Sequence, residues 1–172
     1  MKGTVLEIGQ VANDEIVTRT LSREWIVRGK LQLSAFALQP GETYVSVNRQ
    51  SVDTYMDDVR GFLFIHPDYL VEKDMYSCAL LNVGDIRHIE VKVDGEVVGV
   101  DVEVEPRAKH LKSHAGIFTR YGGKNIKTGQ VINIEKQQKG VPSDDILLDI
   151  RLSLLDISSV ENFILPESKE TD

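Results

Sequence analysis

Between Pro106 and Thr128 the chain carries six basic side chains, Arg107, Lys109, Lys112, Arg120, Lys124 and Lys127, together with His110 and His114, and no Asp or Glu. Cations gathered this way repel one another unless they are solvated, paired with carboxylates elsewhere, or aimed at an anionic partner. The 172-residue chain has a net charge of −7, so its charge is segregated rather than evenly spread. These eight residues are the candidate binding residues, and the partner they imply is an acidic protein surface or a nucleic acid. Phe118 and Tyr121 lie among the cations, and aromatic rings so placed can stack an unpaired base. A pI near 5.1 works against general attraction to phosphate. Asp101, Glu103 and Glu105, just upstream, offer the counter-explanation, because they can fold back and neutralise the segment.

Two residue sets have types suited to catalysis. On a helix, His110 and His114 share a face with Arg107; imidazole titrates near neutrality and guanidinium clamps an oxyanion, which together suit phosphate handling. Leu111 stands where the metalloprotease H-E-x-x-H pattern needs its Glu, and the single cysteine, Cys78, can supply neither a zinc-finger pair nor an intrachain disulfide. No metal or cofactor is therefore expected. The second set is Asp68, Glu90 and Lys92. Asp68 follows Pro67, and with Glu90-Val91-Lys92 it resembles the short PD-(D/E)xK nuclease pattern, which implies two carboxylates on Mg²⁺ and a lysine that orients the attacking water. In that family the E-x-K strand leads toward a helix, whereas here it runs into Asp94-Gly95. The residues favour a small non-enzymatic binding or interaction protein; the alternative is a small phosphate-handling enzyme, hydrolase or nuclease-like.

The elements that must position these residues read as a single α+β domain over residues 1–165, a mostly antiparallel sheet with two or three helices, and a disordered tail over 166–172. Strands are expected at Trp25–Val27, Ser34–Leu38, Tyr44–Val47, Tyr76–Val83 and Val131–Ile134. Asp94-Gly95 between the alternating runs Ile86–Val93 and Glu96–Val104 predicts a β-hairpin, since both turn positions of a type I′ turn need positive φ. Val98, Val100, Val102 and Val104 then face one way, and Asp101, Glu103 and Glu105 the other. Ser51 is expected to cap a helix carrying Val52, Tyr55, Met56 and Val59. Pro106 is expected to open a helix over Arg107–Ala115 that ends at Gly116, with Lys109 and Lys112 toward solvent. Ile146, Leu147, Ile150, Leu154 and Ile157 predict a helix after Ser143, although Leu148–Leu154 also alternates at period two. Cys78 sits in an apolar run and reads as a buried thiol. No apolar stretch approaches the roughly 20 residues of a membrane span, and a cytoplasmic location is expected.

Overall fold

The computed structural model describes residues 10–38, 42, 44–93, 96–104, 112–121 and 144–167, with residues 93, 96, 120 and 121 placed by their backbone alone. Its strands are β1 (Ile16–Thr20), β2 (Ile26–Val27), β3 (Lys30–Leu31), β4 (Tyr44–Arg49), β5 (Leu70–Glu72), β6 (Met75–Asn82), β7 (Glu90–Val93), β8 (Glu96–Val104), β9 (His114–Tyr121) and β10 (Ser159–Ile164). The helices are α1 (Tyr55–Ile65), α2 (Val83–Arg87) and α3 (Asp144–Ile157). Eight strands make one sheet in the order β10-β6-β1-β4-β9-β8-β7, with β5 also on β6. Its pairings are antiparallel throughout the described residues. The expected α+β class is what the chain adopts.

Alternation along the strands decides which face each residue serves. Val17, Val45, Val47, Ala79, Leu81, Val98, Val100, Val102, Ala115 and Ile117 form the main core with Ile150 and Leu154 of α3, Val83 and Ile86 of α2, and Ala35 and Phe36. The opposite face is covered over β6 by α1, whose Tyr55, Val59 and Leu63 recur one helical turn apart and bury Tyr76 and Cys78. Tyr55 Oη meets Thr18 Oγ1 of β1 at 2.9 Å. Cys78 is fully buried, as expected, and burial pushes its thiol up to about 11. Aspartates 144 and 145 open α3 where the helix dipole favours negative charge.

Several expectations need correction. Thr54, not Ser51, precedes α1; the Ser51 hydroxyl is instead bound to Glu15 Oε1 at 2.7 Å. Ser34–Leu38 does not extend as a strand: Leu33–Phe36 is a 3-10 turn that drives Ala35 and Phe36 into the core. Ile86 belongs to α2, because the Asn82 side chain caps that helix by accepting from Asp85 N at 3.1 Å, and the strand starts only at Glu90. Across the two residues 94 and 95 Val93 pairs with Glu96, giving the expected hairpin.

The largest difference lies in the basic segment. His114 and Ala115 are in a strand, not at the end of a helix. Ala115 and Ile117 alternate into the core, and this burial outweighs the helical spacing of Ala108, Leu111 and Ala115. Residues 105–111 lie outside the described residues, as do the expected strand Val131–Ile134 and tail positions 168–172. Gly116 has a specific reason to be glycine: a Cβ there would stand 2.7 Å from both the Tyr44 and Phe118 rings, which pack with centroids 4.9 Å apart. Gly116→Ala is therefore expected to lower stability by about 1–3 kcal/mol, read as a lower urea midpoint at unchanged slope.

Candidate functional site

Strand β9 carries the described part of the basic segment between β4 and β8. His114 pairs with Asn48, Gly116 with Ser46 and Phe118 with Tyr44 on one side. Glu103, Asp101 and Gly99 lie opposite Gly116, Phe118 and Arg120 on the other. Cross-strand partners share a face, so this patch lies on the α1 side of the sheet, away from the main core. His114 Nε2 sits 3.4 Å from Ser46 Oγ, and its ring meets Tyr44 edge-on at 6.1 Å. Phe118 is only 6% exposed, packed against Tyr44, so it offers no open platform for a base. Lys112 is exposed in the turn before β9. Arg107, Lys109, His110, Lys124 and Lys127 lie outside the described residues.

The start of β9 is set by a buried carboxylate. Asp58 of α1, 9% exposed, accepts from Ser113 N at 3.0 Å, from Ser113 Oγ, and from Thr54 Oγ1 at 3.1 Å. Asn48 Nδ2 donates to Ser113 Oγ at 2.9 Å, and Arg49 N to Ser113 O at 2.7 Å. Ser113 has no exposed surface and gives its hydroxyl proton to Asp58, so its role is to hold the turn rather than to attack a substrate. Its neighbour Arg49 pairs with Glu15 at 2.9 Å.

The acidic strand is not wholly available to the cations beside it. Arg87 of α2 lies along the edge of β8 beyond the end of β7, donating Nε to Asp101 Oδ1 at 2.7 Å and Nη2 to the Val102 carbonyl at 3.1 Å. Asp68, Glu90 and Lys92 are not brought together. Asp68 immediately precedes β5, which pairs with β6, while Glu90 and Lys92 lie on β7 at the far edge. Five strand spacings separate β6 from β7, about 24 Å. Among the described residues no three His, Cys, Asp or Glu side chains gather in a way that could hold a metal ion. A cavity of about 20 Å³ beneath α3 is lined mainly by apolar groups including Phe36, Val45, Ile117, Leu147 and Ile150; its volume suits about one water molecule.

Arg19 of β1 has an unusual environment. Its Nε donates to the Ala35 carbonyl at 2.7 Å and its Nη1 to the Ser46 carbonyl at 2.9 Å. The guanidinium carbon lies 4.9 Å from the centroid of the Trp25 ring, and Trp25 meets Tyr69 edge-on at 5.8 Å. Burial lowers the Arg19 pKa, opposed by the charges of Tyr69 and Glu42; guanidinium nevertheless stays protonated in proteins. Burial likewise raises Tyr69, against the pull of Arg19, which keeps the phenol protonated. The available sequence signal was strand parity: Arg19 shares the inward side of β1 with Val17.

Two measurements probe this framework. Asp58→Ala removes the acceptor for three donors, two of them on the buried Ser113, and is expected to cost on the order of 3 kcal/mol in urea unfolding. Glu15 titrates below its ordinary value near 4.5: burial works to raise it, but hydrogen bonds from Arg49, Ser51 and the Ala12 amide, with the charge of Arg49, reverse the sign. The associated stability is present above the unfolded-state pKa and lost as pH falls through the lower folded value. The urea midpoint should therefore drop between about pH 5 and pH 3, with a shallower drop in Glu15→Gln. Comparison of the chain with family models, curated proteins and solved structures finds no match.

Proposed function

We propose that this chain is a non-enzymatic binding module whose basic segment, residues 106–128, engages an acidic protein partner. The observation that carries the reading is the diversion of Asp101 to Arg87. One of the three carboxylates able to neutralise the segment is thereby occupied by a different cation. Lys112 adds support, being exposed and without an ion pair among the described residues. A protein partner suits the site better than a nucleic acid because Phe118 is packed beneath Tyr44 and so cannot stack a base. The phosphate-handling alternative draws less support, since Asp68 and Glu90 stand on opposite flanks of the sheet and proton transfer needs hydrogen-bond reach.

A cytoplasmic location accompanies this reading, in keeping with a single buried thiol. No described helix is long and apolar enough to cross a membrane.

The test is titration with a fluorescent Glu/Asp-rich peptide across a salt series, with a single-stranded oligonucleotide in parallel. Peptide affinity should fall steeply as salt rises from about 50 to 200 mM, because exposed charges are screened over that range. The combined Lys109→Glu, Lys112→Glu and Lys124→Glu variant should bind about tenfold or more weakly at an unchanged unfolding midpoint. Salt-independent binding, no binding at low salt, or preference for the oligonucleotide would each reject the proposal.

A further inference from the structure

Three partly buried arginines among the described residues, Arg19, Arg49 and Arg87, are not treated alike. Arg49 is held by Glu15 at 2.9 Å and Arg87 by Asp101 at 2.7 Å. Arg19 is also partly buried, yet no carboxylate among the described residues lies within 4.0 Å of it. Two backbone carbonyls and the face of Trp25 hold it in place. Carbonyl dipoles and an aromatic ring orient a guanidinium and offset part of its desolvation, but they form no ion pair with it, and Glu42 acts on its charge only from beyond ion-pair distance.

From this contrast we infer that Arg19 is the anchor of a binding site for a small oxyanion, a phosphate or carboxylate group, on the main-core side of β1 beside Trp25 and Tyr69. The geometry suits that ligand. A guanidinium has five N–H donors, and Arg19 spends one from Nε and one from Nη1 on carbonyls. Three donors are left over, both on Nη2 and one on Nη1, enough for a two-point grip on the oxygens of a carboxylate or phosphate. Because the carbonyls and the indole already fix the plane of the fork, little ordering remains to be done on binding. Tyr69 offers a second donor: its ring stands edge-on to Trp25, and burial keeps its phenol protonated. Arg19, Trp25 and Tyr69 are each only partly buried, which leaves the site open to a small solute. Glu42, exposed and near enough to act on the charge of Arg19, opposes an incoming anion, and solvent screens that repulsion. This site is independent of the basic segment: Arg19 faces the main core, whereas His114 and Phe118 of β9 face the other way.

Trp25 is the chain's single tryptophan, so its fluorescence reports on this site alone. The experiment titrates the intact protein with inorganic phosphate, phenyl phosphate and benzoate at constant ionic strength. A saturable change in Trp25 emission is expected with at least one probe, and the phosphate and carboxylate arms identify which oxyanion the site prefers. Arg19→Gln and Arg19→Lys should each weaken binding tenfold or more, the second because it keeps the charge but loses the fork. Glu42→Gln should tighten binding severalfold, and Lys112→Glu should leave it unchanged. The absence of a saturable change with all three probes overturns the inference, as does binding that survives both Arg19 replacements. Should the Arg19 variants fail to fold, Glu42→Gln decides: an affinity equal to that of the unmodified protein overturns the site. Loss of peptide binding in the lysine variants, with phosphate binding intact, would separate this site from the function proposed for the basic segment.

Discussion

Asp58 is the hinge on which the arrangement of this sheet turns. A carboxylate taken out of water is costly unless donors replace its hydration, and here those donors come from the Ser113 amide and hydroxyl and the Thr54 hydroxyl. Satisfying that one group fixes α1 against the turn that opens β9. Because Ser113 also bonds Asn48 and Arg49, the same turn sets the register of β9 on β4. A slip of one residue would send Ala115 and Ile117 to the outer face and His114 and Phe118 into the main core. The placement of the described part of the basic segment thus follows from a polar contact on a helix more than fifty residues upstream.

Around that hinge the molecule separates two kinds of surface. The face beneath α3 is largely apolar, with Arg19 on its β1 margin and Arg151 beside the cavity under α3. The face shared with α1 is apolar only where α1 covers it; across β4, β9 and β8 it carries Tyr44, Ser46, His114 and Asp101. Arg87 matters to both, since Ile86 beside it sits in the main core while its own guanidinium satisfies the unpaired edge of β8. A short helix capped by Asn82 therefore continues the row that β7 begins, with a side chain in place of a strand.

Much of this was legible where one local signal acts without competition. Asp94-Gly95 between alternating valines marked the hairpin, and the spacing of Leu147, Ile150 and Leu154 marked α3 over its period-two rival. Tyr55 and Val59 placed α1, although its start moved because Ser51 found a distant carboxylate. Elsewhere tertiary contacts overrode local pattern. Ser34–Leu38 alternates as a strand would, yet burial of Phe36 goes with a 3-10 turn over Leu33–Phe36. Ala115 fits a helical stripe with Ala108 and Leu111, but two waiting strand edges claim it. Arg19 stayed hidden because nothing in a sequence distinguishes a cation with a carboxylate from one without; only the packing of Ala35, Ser46 and Trp25 around it does.

The strand order has a kinetic corollary. Half of the pairings among the described strands join elements far apart in the chain: β1 pairs with β4 and β6, β4 with β9, and β10 reaches back to β6, with Ser77 bound to Asn162 across 85 positions. Each such pairing closes a long loop before its contacts can compensate for the lost chain entropy, which places this topology among slow folders for its size. During synthesis β6 must wait for the final strand to emerge before its outer edge is satisfied. Until then β6 is an open edge, and the time it spends in that state is set by the length of chain between β6 and β10 rather than by the stability of the finished fold.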